Sequence, residues 1–272
     1  VTWRAIVRND LRESVQSRGA WVLVVLFVLG FGGVTYAVAN LTDPTADAFF
    51  EVATFLAASL LPLIGVVLGY RAISSERESG RVALLLSLPH SRTDMLVGKL
   101  LGRTVVLGAA FLVGAVGAGV VLAISYEPVS ASTYLLYTLA TLLYTLVFVA
   151  IAAGLSLAAS STRRVVGAAF GAYVGLVMFW PTFVDVGYAV LFRFRTGAFG
   201  DLPSWVPFAK FLSPRTAFVY LLDAGLGVGG GVSVVGLAGT WYATSAGALS
   251  VLCCWLVVPL LLGLWRFERS DL

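Results

Sequence analysis

Six apolar runs, at residues 20–39, 50–70, 104–124, 133–159, 165–184 and 246–264, dictate the architecture before any single residue is considered. About twenty helical residues rising 1.5 Å each cover the roughly 30 Å hydrocarbon core of a bilayer. No water reaches backbone amides and carbonyls inside that core, so a segment of this length must satisfy them within itself, as a helix. Composition agrees: 59% of the 272 residues are hydrophobic and 12% charged, with a mean hydropathy of +0.95, too apolar for a solvated globular surface. The expectation is an all-α integral membrane protein, one domain over 1–272 with six transmembrane helices.

Residues 75–103, SERESGRVALLLSLPHSRTDMLVGKLLGR, form a charged island between the second and third runs. It carries Glu76, Arg77, Glu78, Arg81, Arg92, Asp94, Lys99 and Arg103. Burying eight charges in lipid would cost on the order of 20 kcal/mol, so the island lies outside the membrane. Its punctuation is readable. Gly80 stops the extension of the second span. Pro89 ends whatever precedes it, and Ser91 with Asp94 three residues on makes a capping-box start for the third span. Between the two stops, residues 81–88 are apolar on nearly every face, yet eight residues reach only about 12 Å. This is a short helix in need of a groove. Either it docks on the chain's own helices or lipid, or Val82, Leu84, Leu85 and Leu88 insert into a soluble partner, with Glu76, Glu78, Arg81 and Arg92 as the polar rim.

Fourteen of the eighteen basic residues lie on the side of the island, and four, Arg193, Arg195, Lys210 and Arg215, lie opposite. The positive-inside rule therefore places the island and both termini in the cytoplasm of a multi-pass plasma-membrane protein. The net charge of +4 is read as topology and lipid-headgroup signal, with no nucleic-acid partner. Residues 1–19 put Trp3, Val7, Leu11 and Val15 on one helical face and Arg4, Arg8 and Arg12 on another, predicting an amphipathic interfacial helix. Ala37-Val38-Ala39 resembles a signal-peptidase site, but the length of the run favours a retained anchor.

Pro62 predicts a kink whose freed carbonyl needs a donor from a neighbouring helix or water. Gly167, Gly171 and Gly175, spaced four apart, favour close packing within the chain over a dimer face. Trp180-Pro181 is expected to bend or end the fifth span, leaving Asp185 near its outer end. Pro62, Pro181 and Asp185 are the candidate transport-path or outer-gate residues. Residues 193–242, rich in Phe, Trp, Pro and Gly, read as an extracellular interfacial region, with a short helix starting at Ser213-Pro214 and running through Leu222.

Catalytic and cofactor chemistry has little to stand on. Adjacent Cys253 and Cys254 and the single His90 exclude a disulfide framework and paired-ligand metal motifs. Gly98-Lys99 lacks the hydroxyl residue of a phosphate loop, and the glycines from Gly225 to Gly230 follow no strand. An intramembrane enzyme would have only Glu51, Asp185 and Asp223 as acids, with no histidine beside them. The chain is expected to be no enzyme and to bind no cofactor.

In order, Glu76-Arg-Glu-Ser-Gly80, Leu85-Leu86-Ser-Leu-Pro89, Ser91-Arg92 and Gly98-Lys99 resemble the signature of the ABC-2 type transporter permeases. Within that family they are nearest to the permeases of nitrous-oxide-reductase maturation. Leu212-Ser-Pro214 with Phe218 is a weaker similarity, and the likeness covers essentially the whole chain. It implies a dimer of permeases, each on a separate cytoplasmic ATPase that binds ATP and magnesium, exporting a substrate. Residues 81–88 would be the cytoplasmic coupling helix in the ATPase groove. Glu76 and Gly80 would end the second helix, and residues 91–99, from Ser91 to Lys99, would return the push to the third. Copper passage would need soft ligands. Of those available, His90 and Met95 are in the island and only Met178, Cys253 and Cys254 reach membrane depth. Passage of another solute, or force transmission by a non-transporting anchor to an extracellular or periplasmic partner, therefore stays open. The substrate itself is not legible.

Overall fold

The computed structural model describes residues 17–41, 44–78, 92–158, 161–192, 203–228, 237 and 239–269. These form eight helical elements: α1 (Arg18–Leu41), α2 (Ala46–Glu78), α3 (Arg92–Ser125), α4 (Ala131–Ala158), α5 (Arg163–Leu191), α6 (Trp205–Phe211), α7 (Pro214–Leu226) and α8 (Ser245–Glu268). Six of them, α1 to α5 and α8, contain stretches long and apolar enough to cross a membrane, and among the described residues there is no strand. The amphipathic N-terminal helix expected over 1–19 lies almost wholly outside the described residues.

α4 is the centre of the bundle. Its span is 61% buried, against 17% for α1 and for α8, and α2 and α8 pack along it on two sides while α1 packs against α3. Lipid is as apolar as leucine, so these helices are held by close fit rather than by hydrophobicity. Glycine supplies the fit. A Cβ on Gly65 would stand 2.9 Å from the Thr145 carbonyl oxygen, and one on Gly69 2.6 Å from that of Val149, so α2 lies on the backbone of α4. Across α4, Gly154 meets the Pro259 carbonyl, and a Cβ on Gly263 would be 2.6 Å from the Gly154 oxygen. On the remaining side, a Cβ at Gly114 of α3 would meet Phe27 of α1 at 2.7 Å, and Phe111 stands edge-on to Phe27 and Phe31 at 5.7 and 5.4 Å.

The glycines singled out in α5 behave differently. A Cβ at Gly167 or Gly171 would meet nothing within 4 Å, and one at Gly175 only the Phe183 ring at 3.9 Å. The expected packing within the chain is thus absent, because the partners of α4 are drawn to it by Gly65, Gly69 and Gly263 while α5 crosses with this face outward. The fifth helix also runs past Trp180-Pro181 to Leu191. A π turn, Val174–Phe179, precedes the proline, which then falls in the first turn of the restarted α-helix, where its missing N–H is not needed. Pro181 interrupts the helical ladder at this junction and does not end the helix.

At the end of the bundle opposite the island, Tyr126 closes the turn between α3 and α4 by donating to the Thr35 carbonyl of α1 at 2.8 Å. Burial pushes the pKa of this phenol up from its ordinary 10, which keeps it a donor.

Candidate functional site

Pro62 lacks an N–H, so in an α-helix it leaves the carbonyl four residues earlier without its bond. That carbonyl belongs to Ala58. The Tyr144 hydroxyl, fully buried on α4, donates to the Ala58 oxygen at 3.0 Å, and Tyr173 of α5 donates to the next carbonyl, Ser59, at 3.0 Å. Two helices thus hold the break in α2 from different directions. The Tyr144 ring continues the chain of contacts: it stacks face to face on Phe218 of α7, with centroids 4.3 Å apart and planes 8° apart.

Phe218 is fully buried, which shows how deeply α7 enters the bundle. α7 begins as the Ser213-Pro214 pair requires, with the Ser213 hydroxyl accepting from Thr216 N at 3.5 Å. The same hydroxyl donates to the Leu176 carbonyl at 3.0 Å, inside the π turn of α5, where an i→i+5 bond would have to come from Pro181, which has no N–H. Gly227, at φ 68°, ends α7 in the left-handed conformation that glycine takes without steric penalty. Two indoles tie the neighbouring segment down: Trp180 Nε1 donates to Ala209 and Trp255 Nε1 to Leu212, both at 2.8 Å. Part of the region read as interfacial is therefore core. Its exposed portion includes Trp241, which is 87% exposed.

Asp185 pairs with Lys210 of α6 at 2.6 Å, its side chain 47% exposed. Asp185 follows Pro181 by about one turn of α5, whereas Pro62 is on α2, so the three candidates fall at two places. The soft residues Met178, Cys253 and Cys254 are exposed on the outside of the bundle.

The charged island is represented by its two flanks. α2 continues helical through Glu76 to Glu78, and α3 starts at Arg92 and passes through Lys99. At 33 and 34 residues these helices reach about 50 Å each, some 20 Å beyond a bilayer core, and both extend at the same end. Gly80, Arg81, Leu84, Leu85, Leu88, Pro89 and Ser91 lie outside the described residues.

Tyr144 and Tyr173 were missed by sequence reasoning, which placed Ser213 as a helix start without its bond to Leu176. The one signal available was that the carbonyl freed by Pro62 needs a donor, which names no donor.

The model of the ABC-2 family transporter proteins matches residues 4–272. A probable ABC transporter permease protein NosY of Pseudomonas aeruginosa is 27% identical over 280 residues, covering 100% of this chain and 99% of the relative. A protein of the same description from Stutzerimonas stutzeri is 27% identical over 273 residues, covering 97% of each chain.

Proposed function

The chain belongs to the ABC-2 family of transporter proteins as an ABC transporter permease, and we propose that it couples ATP hydrolysis on a separate cytoplasmic subunit to export across the cell membrane. The observation that carries this reading is the pair of helices, α2 and α3, that leave the span region together and bracket residues 79–91. Two rigid arms joined by a short apolar segment are suited to take a push from a soluble partner and pass it to two spans at once. In this reading residues 81–88 fill a groove of the ATPase, Leu84, Leu85 and Leu88 supply the buried contact, and Glu76, Glu78, Arg81 and Arg92 form the rim. ATP and magnesium stay on the partner. Both termini are cytoplasmic by the distribution of arginines.

A second copy completes the permease. The α5 face with Gly167 and Gly171 has open space at each Cβ position and exposed Val166 and Phe170 beside it, which suits close helix approach between protomers. Co-purification with the ATPase tests the coupling: Leu85→Asp and Glu76→Ala are expected to weaken the complex and lower its ATP turnover. Unchanged assembly and turnover in both variants would sink the coupling role.

One observation favours a second reading, in which the subunit transmits force to an extracellular or periplasmic partner without moving a solute. The Phe218–Tyr144 stack gives a direct solid path from the break in α2 to the outer segment. ATP-dependent uptake into inverted vesicles that persists after removal of the outer partner would count against this reading.

A further inference from the structure

We propose that the groove enclosed by α4, α5 and α8 is a binding site for one anionic phospholipid, its acyl chain in the groove and its headgroup on Arg266. The groove has a volume of about 810 Å³, and its walls are apolar, with Leu155, Leu176, Phe183, Val258 and Leu262 among them. Its extent along α8, from Cys254 to Arg266, corresponds to about 18 Å of helix. That length along α8 is of the order of an acyl chain's reach into a 30 Å core.

Charge selects among the lipids. Arg266 lines the mouth, and its Nε donates to the Ala158 carbonyl at 3.2 Å. A guanidinium carries five N–H donors, so this bond fixes the group over the mouth and leaves donors for a phosphate. Arg163 and Arg164, both exposed, open α5 shortly after Ala158, and the Arg269 guanidinium lies 4.2 Å over the Trp265 ring, which also lines the groove. In the sequence Glu268 and Asp271 only partly offset these four arginines. An anionic headgroup complements this excess of positive charge.

Tryptophan fluorescence offers the test, because Trp180, Trp255 and Trp265 line the groove. The full chain is reconstituted in phosphatidylcholine vesicles containing a small fraction of phosphatidylglycerol or phosphatidylcholine with brominated acyl chains, which quench indoles in contact. Brominated phosphatidylglycerol is expected to quench at about fivefold lower mole fraction, which equals the ~1 kcal/mol of one arginine near an anionic surface. Arg266→Gln should erase that difference and Arg266→Lys should keep most of it. Gly175→Leu should abolish the selective quenching by filling the groove, since its new Cβ meets only the edge of Phe183 at 3.9 Å. Should Arg266→Gln fail to elute as a folded species, Gly175→Leu decides alone. Equal quenching by the two lipids in the unaltered protein overturns the proposal. So does a preference that survives both variants, or groove tryptophans shielded from both lipids by a second copy.

Discussion

Replacing Tyr144 by Phe removes one oxygen and leaves the ring on Phe218 in place, so it isolates the bond that holds the Pro62 break. The Ala58 carbonyl then has no partner in a buried position. An unsatisfied buried acceptor costs about 1–3 kcal/mol. Side-chain hydrogen bonds between membrane helices average nearer 0.6 kcal/mol, because the unfolded chain in lipid also finds partners. A loss of about 1 kcal/mol is therefore expected in Tyr144→Phe. The distinguishing measurement is a cycle with Pro62→Ala, which returns an N–H to position 62 and gives the Ala58 oxygen its own helical donor. In that background Tyr144→Phe should cost close to nothing, leaving a coupling energy of about 1 kcal/mol whatever Pro62→Ala does on its own. Tyr173→Phe should be milder and uncoupled from Pro62→Ala, since the Ser59 carbonyl has the Leu63 N–H one turn on. Unfolding of the purified protein in mixed micelles, followed by helical circular dichroism, reads all four corners. Additive costs of Tyr144→Phe and Pro62→Ala would refute the idea that the tyrosine stands in for the missing amide.

Three further outcomes are expected from purification, limited proteolysis and the same unfolding assay. Gly69→Leu and Gly154→Leu should prevent monodisperse purification, because each new side chain meets backbone atoms of a neighbouring helix, whereas Gly167→Leu should leave the fold of the single chain intact. Ser213→Ala removes both an N-cap and the donor to Leu176 and should cost about 1–2 kcal/mol, with α7 more open to protease than in the unaltered protein. Lys210→Ala should change stability by less than about 1 kcal/mol, and less still at high salt, because the Asp185 carboxylate is half in solvent.

The six-span architecture was legible because it rests on one-dimensional information: length and apolarity decide what can cross lipid, and charge decides what cannot. Ser213-Pro214 and Pro62 were legible for a related reason, since each carries a local chemical demand. What answers such a demand is not local. Tyr144 and Tyr173 are distant in sequence from the carbonyls they serve, and nothing about a tyrosine in an apolar run marks it for that task. Glycine spacing misled for the same reason. The Gly65 and Gly69 pair has the spacing found in α5 and was passed over, yet it is the pair pressed against α4, while Gly167 and Gly171 face outward. Spacing shows that two backbones can approach and leaves open which two.

Pro62 stands at the midpoint of α2, sixteen residues from Ala46 and sixteen from Glu78. Two other helices donate to its backbone there, so α2 is tethered at its middle. Because Gly65 and Gly69 hold α2 against α4 just beyond this point, a sideways push at Glu78 acts on the tethered middle of the helix through an arm of about 24 Å.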